Sequence, residues 1–468
     1  MVAHLPPEKS GRSRVLWGVL VLAFALRVLV PLFAAAVTRD PAVYHAPDTI
    51  SYLTPARELA ETGSFTSNGR SEIIRSPGYP LLLVPGVLAG RVELVTIGLQ
   101  ALLGCATVYF VYKIALLLFG DRGVAAAGAL LCAFDPLLIV YASKLLTETL
   151  STCLTAAFVY WLLRYLKDGL PGRLAVSAVA LAASVYVRPI NYFLPVLVTL
   201  GLLVRAVCRR PRARRFFAHA GLFFVLSMAP VGLWQVRNLV ETGYGGFSAI
   251  SDVTLYFYHG AAVLAAESGS SYYEMQREMG YADEEVYLQQ HPEQRGWSGA
   301  WRYRSMRHQG MRILVRRPWT YAGIHVKGMA RALLDPGAFD WLKMFKRYPQ
   351  SGGGLLGSVV DKGVMQTLTE LWRERPVLFW INLSLGLVLA AYLLLAAVGA
   401  ISRGVCRGPG TAALLLVGMY FLAVSGGPQA ECRFRHPLVP LLCVFAGVGL
   451  LVIGGKFGRR AHSPAHPG

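Results

Sequence analysis

Two charged residues bracket a polar stretch just beyond the first hydrophobic segment: Asp48 in Asp48-Thr-Ile-Ser-Tyr52, and Arg75 in Arg75-Ser-Pro-Gly-Tyr79-Pro80. A positioned carboxylate can take a proton from a hydroxyl, and a guanidinium can hold an anionic oxygen through paired N–H donors. Further along come Lys144 and Glu148, then Arg188 with Pro189 and Asn191, then Arg237 and Asn238, and last Glu431, Arg433, Arg435 and His436. Each lies at the end of a hydrophobic stretch, where an ionisable group is costly and therefore a functional candidate by default. Singly, each has a plain explanation. Lysines and arginines snorkel to headgroups, Asp48 suits the cap of the helix that follows it, and Glu148 suits a helix dipole. Arg27, Lys113 and His325 read as structural. What favours chemistry is the gathering of acids and cations on one face, a base for a hydroxyl proton beside cations for a departing anion.

The elements that must position these residues form a membrane bundle. Of 468 residues, 54% are hydrophobic and only 15% charged, against about 25% charged in soluble domains. The net charge of +20 does not signal nucleic acid. Eighteen Lys and Arg residues against three acids (Glu8, Asp121, Asp168) fall in short connectors between hydrophobic blocks, among them Arg14, Arg122, Arg164, Lys167, Arg173, Arg205, Arg214 and Arg215. Such connectors face the cytoplasm. With the N-terminus inside, the spans are 15–37, 92–118, 123–141, 148–165, 173–188, 190–207, 216–237, 377–400, 410–427 and 437–455, and ten crossings return the C-terminus to the cytoplasm. A single helix over 173–207 would measure about 50 Å, too long for a core of about 30 Å, so Arg188-Pro189 marks the outer tip of a hairpin. Residues 79–90 are apolar but too few to cross, and belong to the interface or a re-entrant segment.

Residues 15–37 read as a retained anchor. The seven cysteines fall mostly in spans and basic connectors and suggest neither a disulfide framework nor a metal site. The polar region 239–376 lies outside by parity, with short helices such as 318–334 and flexible punctuation at Ser351–Gly354. The expected fold is an all-α polytopic membrane protein: a transmembrane module at 15–238, an extracytoplasmic helical region at 239–376, and a second transmembrane module at 377–457. The expected location is the cytoplasmic (inner) membrane of the cell. There is no GxxxxGK[ST] loop for nucleotide phosphate, no DxD pair for a nucleotide sugar, and no GxSxG or HExxH.

Asp48-x-x-x-Tyr52, Arg75-Ser-Pro-Gly-Tyr79-Pro80, Glu148 opening a span, Arg188-Pro189, Trp234-Gln-Val-Arg237-Asn238 and Arg433-Phe-Arg435-His-Pro437 together resemble the GT-C membrane glycosyltransferases. The branch they resemble is the dolichyl-phosphate-mannose–protein mannosyltransferase-like group (glycosyltransferase family 39). The likeness covers about residues 15–240 and 425–455, and rests on the order and placement of short motifs. It implies a GT-C-type bundle and an enzyme taking a sugar from a polyprenyl-phosphate donor, with inversion, on the outer face of the membrane. Asp48 would be the general base, assisted by Glu148. Tyr52, Arg75, Tyr79, Lys144, Arg188, Arg237, Arg433 and Arg435 would bind substrate, the cations at the donor phosphate. Arg433 and Arg435, two apart, would share one face of an extended segment and clasp a single phosphate.

Many relatives carry an Asp-Glu pair in the first loop; here Thr49 follows Asp48. That leaves open a divalent cation held by Asp48 and Glu148. The acceptor is equally open: lipid, glycan or protein. The competing reading is a transporter or flippase of a lipid-linked saccharide, which would need polar groups along the bundle interior that spans 92–118 and 377–455 offer sparingly.

Overall fold

The computed structural model describes residues 13–208, 213–347, 364–402 and 408–455. The basic residues Lys9, Arg12, Arg209, Arg210, Arg212, Arg403, Arg407, Lys456, Arg459 and Arg460, and the Ser351–Gly354 stretch, lie outside them. The chain is an all-α polytopic membrane fold. After α1 (Ser13–Thr38) come a 3-10 turn (Pro41–Tyr44), α2 (Thr49–Thr62), a two-stranded hairpin of β1 (Thr66–Ser67) and β2 (Arg70–Ser71), and α3 (Gly78–Leu88). The bundle continues with α4 (Val92–Phe119), α5 (Arg122–Phe134), α6 (Pro136–Ala142), α7 (Glu148–Asp168), α8 (Pro171–Val187), α9 (Leu194–Cys208) and α10 (Ala213–Thr242). Beyond α10, α11 (Ile250–Val253) runs through a π-helical turn (Thr254–Gly260) into α12 (Ala261–Ser268). There follow α13 (Tyr272–Glu278), α14 (Glu284–Gln290), α15 (Gly299–Arg316), α16 (Pro318–Leu334) and α17 (Ala338–Met344). The chain returns to the bundle with α18 (Val364–Glu374), α19 (Pro376–Ile401), α20 (Pro409–Val424) and α21 (Val439–Ile453).

Every expected span coincides with helix, but not all are long enough to cross alone. Among the described residues, five helices are long and apolar enough to span a bilayer, six if the bent pair α5–α6 counts as one. Helices α8, α20 and α21 are apolar but have only 17, 16 and 15 residues. The tenfold count therefore depends on short helices embedded in the bundle.

The 52° bend between α5 and α6 was not foreseen. Its cause is Asp135-Pro136: Asp135 is extended and accepts from the Leu138 amide at 2.9 Å, while Pro136 opens the new helix. A break at membrane depth strands carbonyl groups that lipid cannot satisfy. Arg27 of α1, 1% exposed, donates to the carbonyls of Cys132 and Ala133 at 3.2 Å each. Its role is to close that break.

Helix α21 is buried along most of its length and packs against α19 and α5. A Cβ at Gly399 of α19 would collide with the Phe445 carbonyl, and one at Gly449 of α21 with that of Leu395. Small residues let the two backbones meet, the usual basis of tight association in lipid. Between α10 and α18, Tyr256, Phe257, Tyr287 and Met306 form a small core of their own.

Candidate active site

Asp48 stands at the start of α2 but caps nothing. Its backbone is α-helical and its side chain makes no bond to the helix amides. Instead Oδ1 accepts from Arg75 Nη2 and Oδ2 from Arg433 Nη1, both at 2.9 Å. The carboxylate thus joins the segment after α1 to the one before α21, 385 positions away. Burial would raise the Asp48 pKa, but the Arg433 and Arg75 guanidiniums outweigh it and hold the carboxyl below its ordinary range.

Each partner is positioned by its own sequence. Thr49 Oγ1 donates to the Leu145 carbonyl at 3.1 Å, fixing the start of α2 on the α6–α7 link. One turn into α2, Tyr52 shares a face with Asp48. Its hydroxyl accepts from Arg75 Nη1 at 3.1 Å, and its ring lies 4.6 Å under the Arg75 guanidinium. Glu72 accepts from the Arg75 amide at 2.8 Å and closes the turn that presents the side chain. Gly78 is obligatory on steric grounds: a Cβ there would lie 2.7 Å from the Tyr186 carbonyl. That contact seats the Pro-Gly turn on the end of α8, beside Arg188. Arg188 faces Glu148 at 3.1 Å, the latter 2% exposed. The ring of Phe434 lies against both Arg188 and Arg433, 5.8 and 5.5 Å from their guanidinium carbons.

Three arginines and two carboxylates therefore meet, and the cations are not spent. Arg75 Nε, Arg433 Nε and Arg188 Nη1 are buried without a hydrogen-bond partner. Arg433 Nε is 3.3 Å from Glu431 Oε2, and Arg188 Nη1 is close to Glu148, but both angles are poor for a hydrogen bond. Unpaired buried donors on guanidiniums are an anion site in waiting.

The model of the dolichyl-phosphate-mannose–protein mannosyltransferase family matches residues 82–234. Comparison with curated proteins finds no match. Among solved structures, the oligosaccharyltransferase AglB from Archaeoglobus fulgidus, in complex with an inhibitory peptide and a dolichol-phosphate, is 14% identical. It matches 96% of this chain and 51% of its own, with a TM-score of 0.52. The apo form of the Archaeoglobus fulgidus oligosaccharyltransferase is also 14% identical, matching 97% and 52% with a TM-score of 0.51. The family model covers less than half of the chain, and the two oligosaccharyltransferase structures, at 14% identity, show a likeness of fold. The chain spans about half the length of these two structures. ArnT from Cupriavidus metallidurans, bound to undecaprenyl phosphate, matches 93% of the chain and 78% of its own at 16% identity, with a TM-score of 0.39.

Several of the cations expected to face substrate are occupied elsewhere. Arg433 and Arg435 do not share a face. Cys432–Arg435 is a 3-10 turn rather than an extended strand, so the two side chains diverge. Arg435, 5% exposed, donates to the carbonyls of Ala332, Leu333 and Asp335 at the end of α16, at 2.8 to 3.0 Å. There it satisfies orphan carbonyls and the negative end of the helix dipole. Arg237 donates to the carbonyls of Glu72 (2.8 Å) and Phe65 (2.9 Å) and pairs with Glu241 at 2.7 Å, pinning the β-hairpin. Lys144, 6% exposed, donates to the Val43 carbonyl at 2.7 Å, and burial pushes its amine down to about 8. Tyr79 lies one layer behind Tyr52, ring edge to face at 5.3 Å, and donates to Gln100 at 3.1 Å. His325 joins α16 to the Ala423 carbonyl at 2.8 Å, in keeping with a structural part.

Asp48 and Glu148 do not suit a divalent cation as they stand. Arginines occupy both Asp48 oxygens, and among the described residues no three His, Cys, Asp or Glu side chains come together to hold a metal. Sequence reading missed Glu72, Gln100 and Phe434. Gln100 carried a usable signal, a polar residue inside an apolar span; Glu72 and Phe434 matter only through the fold.

Proposed function

We propose that this chain is an inverting glycosyltransferase that moves a sugar from a polyprenyl-phosphate donor to an acceptor hydroxyl on the outer face of the cytoplasmic membrane. Both termini would then be cytoplasmic. The observation that carries the reading is Asp48 held between Arg75 and Arg433, whose guanidiniums keep buried N–H groups to spare. In the reaction, the acceptor oxygen attacks the anomeric carbon as Asp48 takes its proton. The bond from that carbon to the phosphate oxygen breaks, and its electron pair leaves with the phosphate. Growing negative charge falls to Arg433, Arg75 and Arg188, a preorganised electrostatic role in a site of low dielectric. Glu148 orients Arg188 and takes no proton itself. Attack opposite the leaving phosphate inverts the sugar.

Support comes from the mannosyltransferase family match and from relatives whose structures hold dolichol-phosphate or undecaprenyl phosphate. The deciding assay gives the purified protein polyprenyl-phosphate-linked sugars and, separately, nucleotide sugars, each with candidate acceptors; turnover with a nucleotide sugar alone refutes the reading. Mass spectrometry of a deletion strain should show one sugar missing from an envelope glycan or lipid. A complete lipid-linked precursor accumulating there would favour a flippase. For orientation, single cysteines at Ser67 and Ser248 should react with an impermeant thiol reagent on spheroplasts, and one at Ala213 should not. The reverse pattern would place Asp48 on the cytoplasmic side.

A further inference from the structure

As it stands, the site has a contradiction in it. A general base works best when its pKa lies near the working pH, yet Asp48 is clamped on both oxygens by arginines. Such a carboxylate is ionised and a weak base. If Asp48 is to take a proton, one guanidinium has to leave it.

The two clamps are not equivalent. Arg75 is fixed on three sides: its amide by Glu72, Nη1 by the Tyr52 hydroxyl, and its plane by the Tyr52 ring. Arg433 has one hydrogen bond from its guanidinium, the one to Asp48. Its other neighbours are Glu431, an ion-pair contact at 3.3 Å, and the Phe434 ring. It projects from a four-residue 3-10 turn, is about a quarter exposed, and has an unpartnered Nε. Glu431 is 60% exposed and free to follow it. Five donors with one in use leave room for a phosphate.

We infer that Arg433 is an exchangeable cover on the base: at rest it pairs with Asp48, and the phosphate of the donor draws it away, uncovering Oδ2 for the acceptor's hydroxyl. Glu431 is the positioning residue in this exchange, keeping the guanidinium within reach of both partners. The inference rests on the proposed role of Asp48 and adds an order to it: an acceptor that arrives first meets a masked base. In the transfer, the proton goes from the acceptor oxygen to Asp48 Oδ2. The electron pair of the broken carbon–oxygen bond goes to the phosphate, where Arg433 now sits.

The charged and titratable groups around Asp48 are Arg75, Arg433, Tyr52 on α2 and Tyr258 on the π-helical turn, with Glu148, Arg188 and Glu431 beyond them. Two changes are expected to raise the carboxyl on donor binding, loss of the Arg433 contact and the negative charge of the phosphate itself, and Arg433→Ala separates them because only the second remains there. The test labels the purified full chain with a water-soluble carbodiimide and an amine across pH 3 to 7. Modification at Asp48 is read by peptide mass spectrometry, with and without undecaprenyl phosphate, and native mass spectrometry reports lipid binding. Because only the protonated carboxyl reacts, the midpoint of labelling should rise by about one pH unit or more with the lipid. In Arg433→Ala it should be high already and rise less with the lipid than in the wild type, an equal rise overturning the exchange, and in Glu431→Gln the lipid-induced rise should be smaller than in the wild type. A midpoint that does not move although lipid is bound overturns the exchange and leaves the proposed function standing. A folded protein that binds no lipid phosphate overturns both.

Discussion

Replacing Asp48 with Asn separates a base from a structural clamp, because the two roles predict opposite effects on ligand binding. Asn is nearly isosteric and keeps one oxygen to accept from an arginine, so the loop should hold its shape. The proton acceptor is gone, and loss of general-base catalysis costs typically 10²- to 10⁴-fold in turnover, or about 3 to 5 kcal/mol in the barrier. Binding of lipid phosphate should move the other way. A phosphate accepting from the same arginines, each 2.9 Å from Asp48, would lie about two hydrogen-bond lengths, roughly 6 Å, from the carboxylate. At an effective dielectric of about 20 that repulsion is roughly 3 kcal/mol. The Asp48 side chain is 33% exposed, and solvent screening leaves roughly 1 to 2 kcal/mol. Removing the charge should therefore tighten undecaprenyl phosphate by about 5- to 30-fold. The assay is native mass spectrometry or fluorescence titration for binding, turnover with the lipid-linked donor, and thermal unfolding as a control. Weaker binding together with a lower Tm would mean that Asp48 only holds the loops together, and wild-type turnover would remove it from the chemistry.

Glu148→Gln should lower stability, by up to about 3 to 5 kcal/mol if Arg188 is left as an uncompensated buried charge, and should reduce turnover less than Asp48→Asn. A double-mutant cycle with Arg188→Gln should recover part of the loss, and a coupling near zero would deny the pair. Lys144 has a folded pKa near 8 against about 10.4 unfolded. The unfolded chain binds more protons between those values, so stability should rise with pH across that window, by at most about 3 kcal/mol. Lys144→Met should flatten the rise in denaturation profiles, and an unchanged slope would show that Lys144 does not cause it. Gly399→Leu should abolish recovery of folded protein from membranes, because its side chain would meet the Phe445 backbone. Gly386→Leu on the same helix, with open space around the residue, should express normally; equal yields of the two would mean that α19 and α21 do not pack as described.

Hydropathy made the helices legible because the bilayer imposes a length and an apolar face on each. It was weakest where a helix is buried in protein rather than lipid. Helix α21 can be short because neighbours cover most of it, and Asp135-Pro136 hides within an apolar stretch because Arg27, over a hundred positions away, repairs the break. The site was legible as a set of residues but not as a set of contacts. Asp48, Arg75, Arg188, Glu148 and Arg433 were each marked by charge at a span end. The same mark fell on Arg237, Lys144 and Arg435, which the fold assigns to backbone carbonyls. A charge at the end of a span reports that something polar must be met there, not whether it belongs to the protein or to a substrate.

That distinction turns on unused donors. Arg435 directs a single nitrogen to three carbonyls at the end of α16, and Arg237 splits its N–H groups between the β-hairpin and Glu241. Arg433, by contrast, keeps a buried Nε unpaired. A buried guanidinium N–H without an acceptor costs on the order of 1 to 3 kcal/mol, more where charge is involved. The fold tolerates that cost at Arg75, Arg188 and Arg433 together, around one carboxylate whose oxygens are both taken. Arg27 at the α5 break gives Nη1 and Nη2 to backbone carbonyls and leaves Nε unpaired as well, so what marks the site is the gathering of three such arginines beside Asp48 and Glu148. Leaving their donors open where the segment after α1 meets the one before α21 makes sense if an anion completes the cluster, and the phosphate of the proposed donor, with several oxygens to accept, would be such an anion.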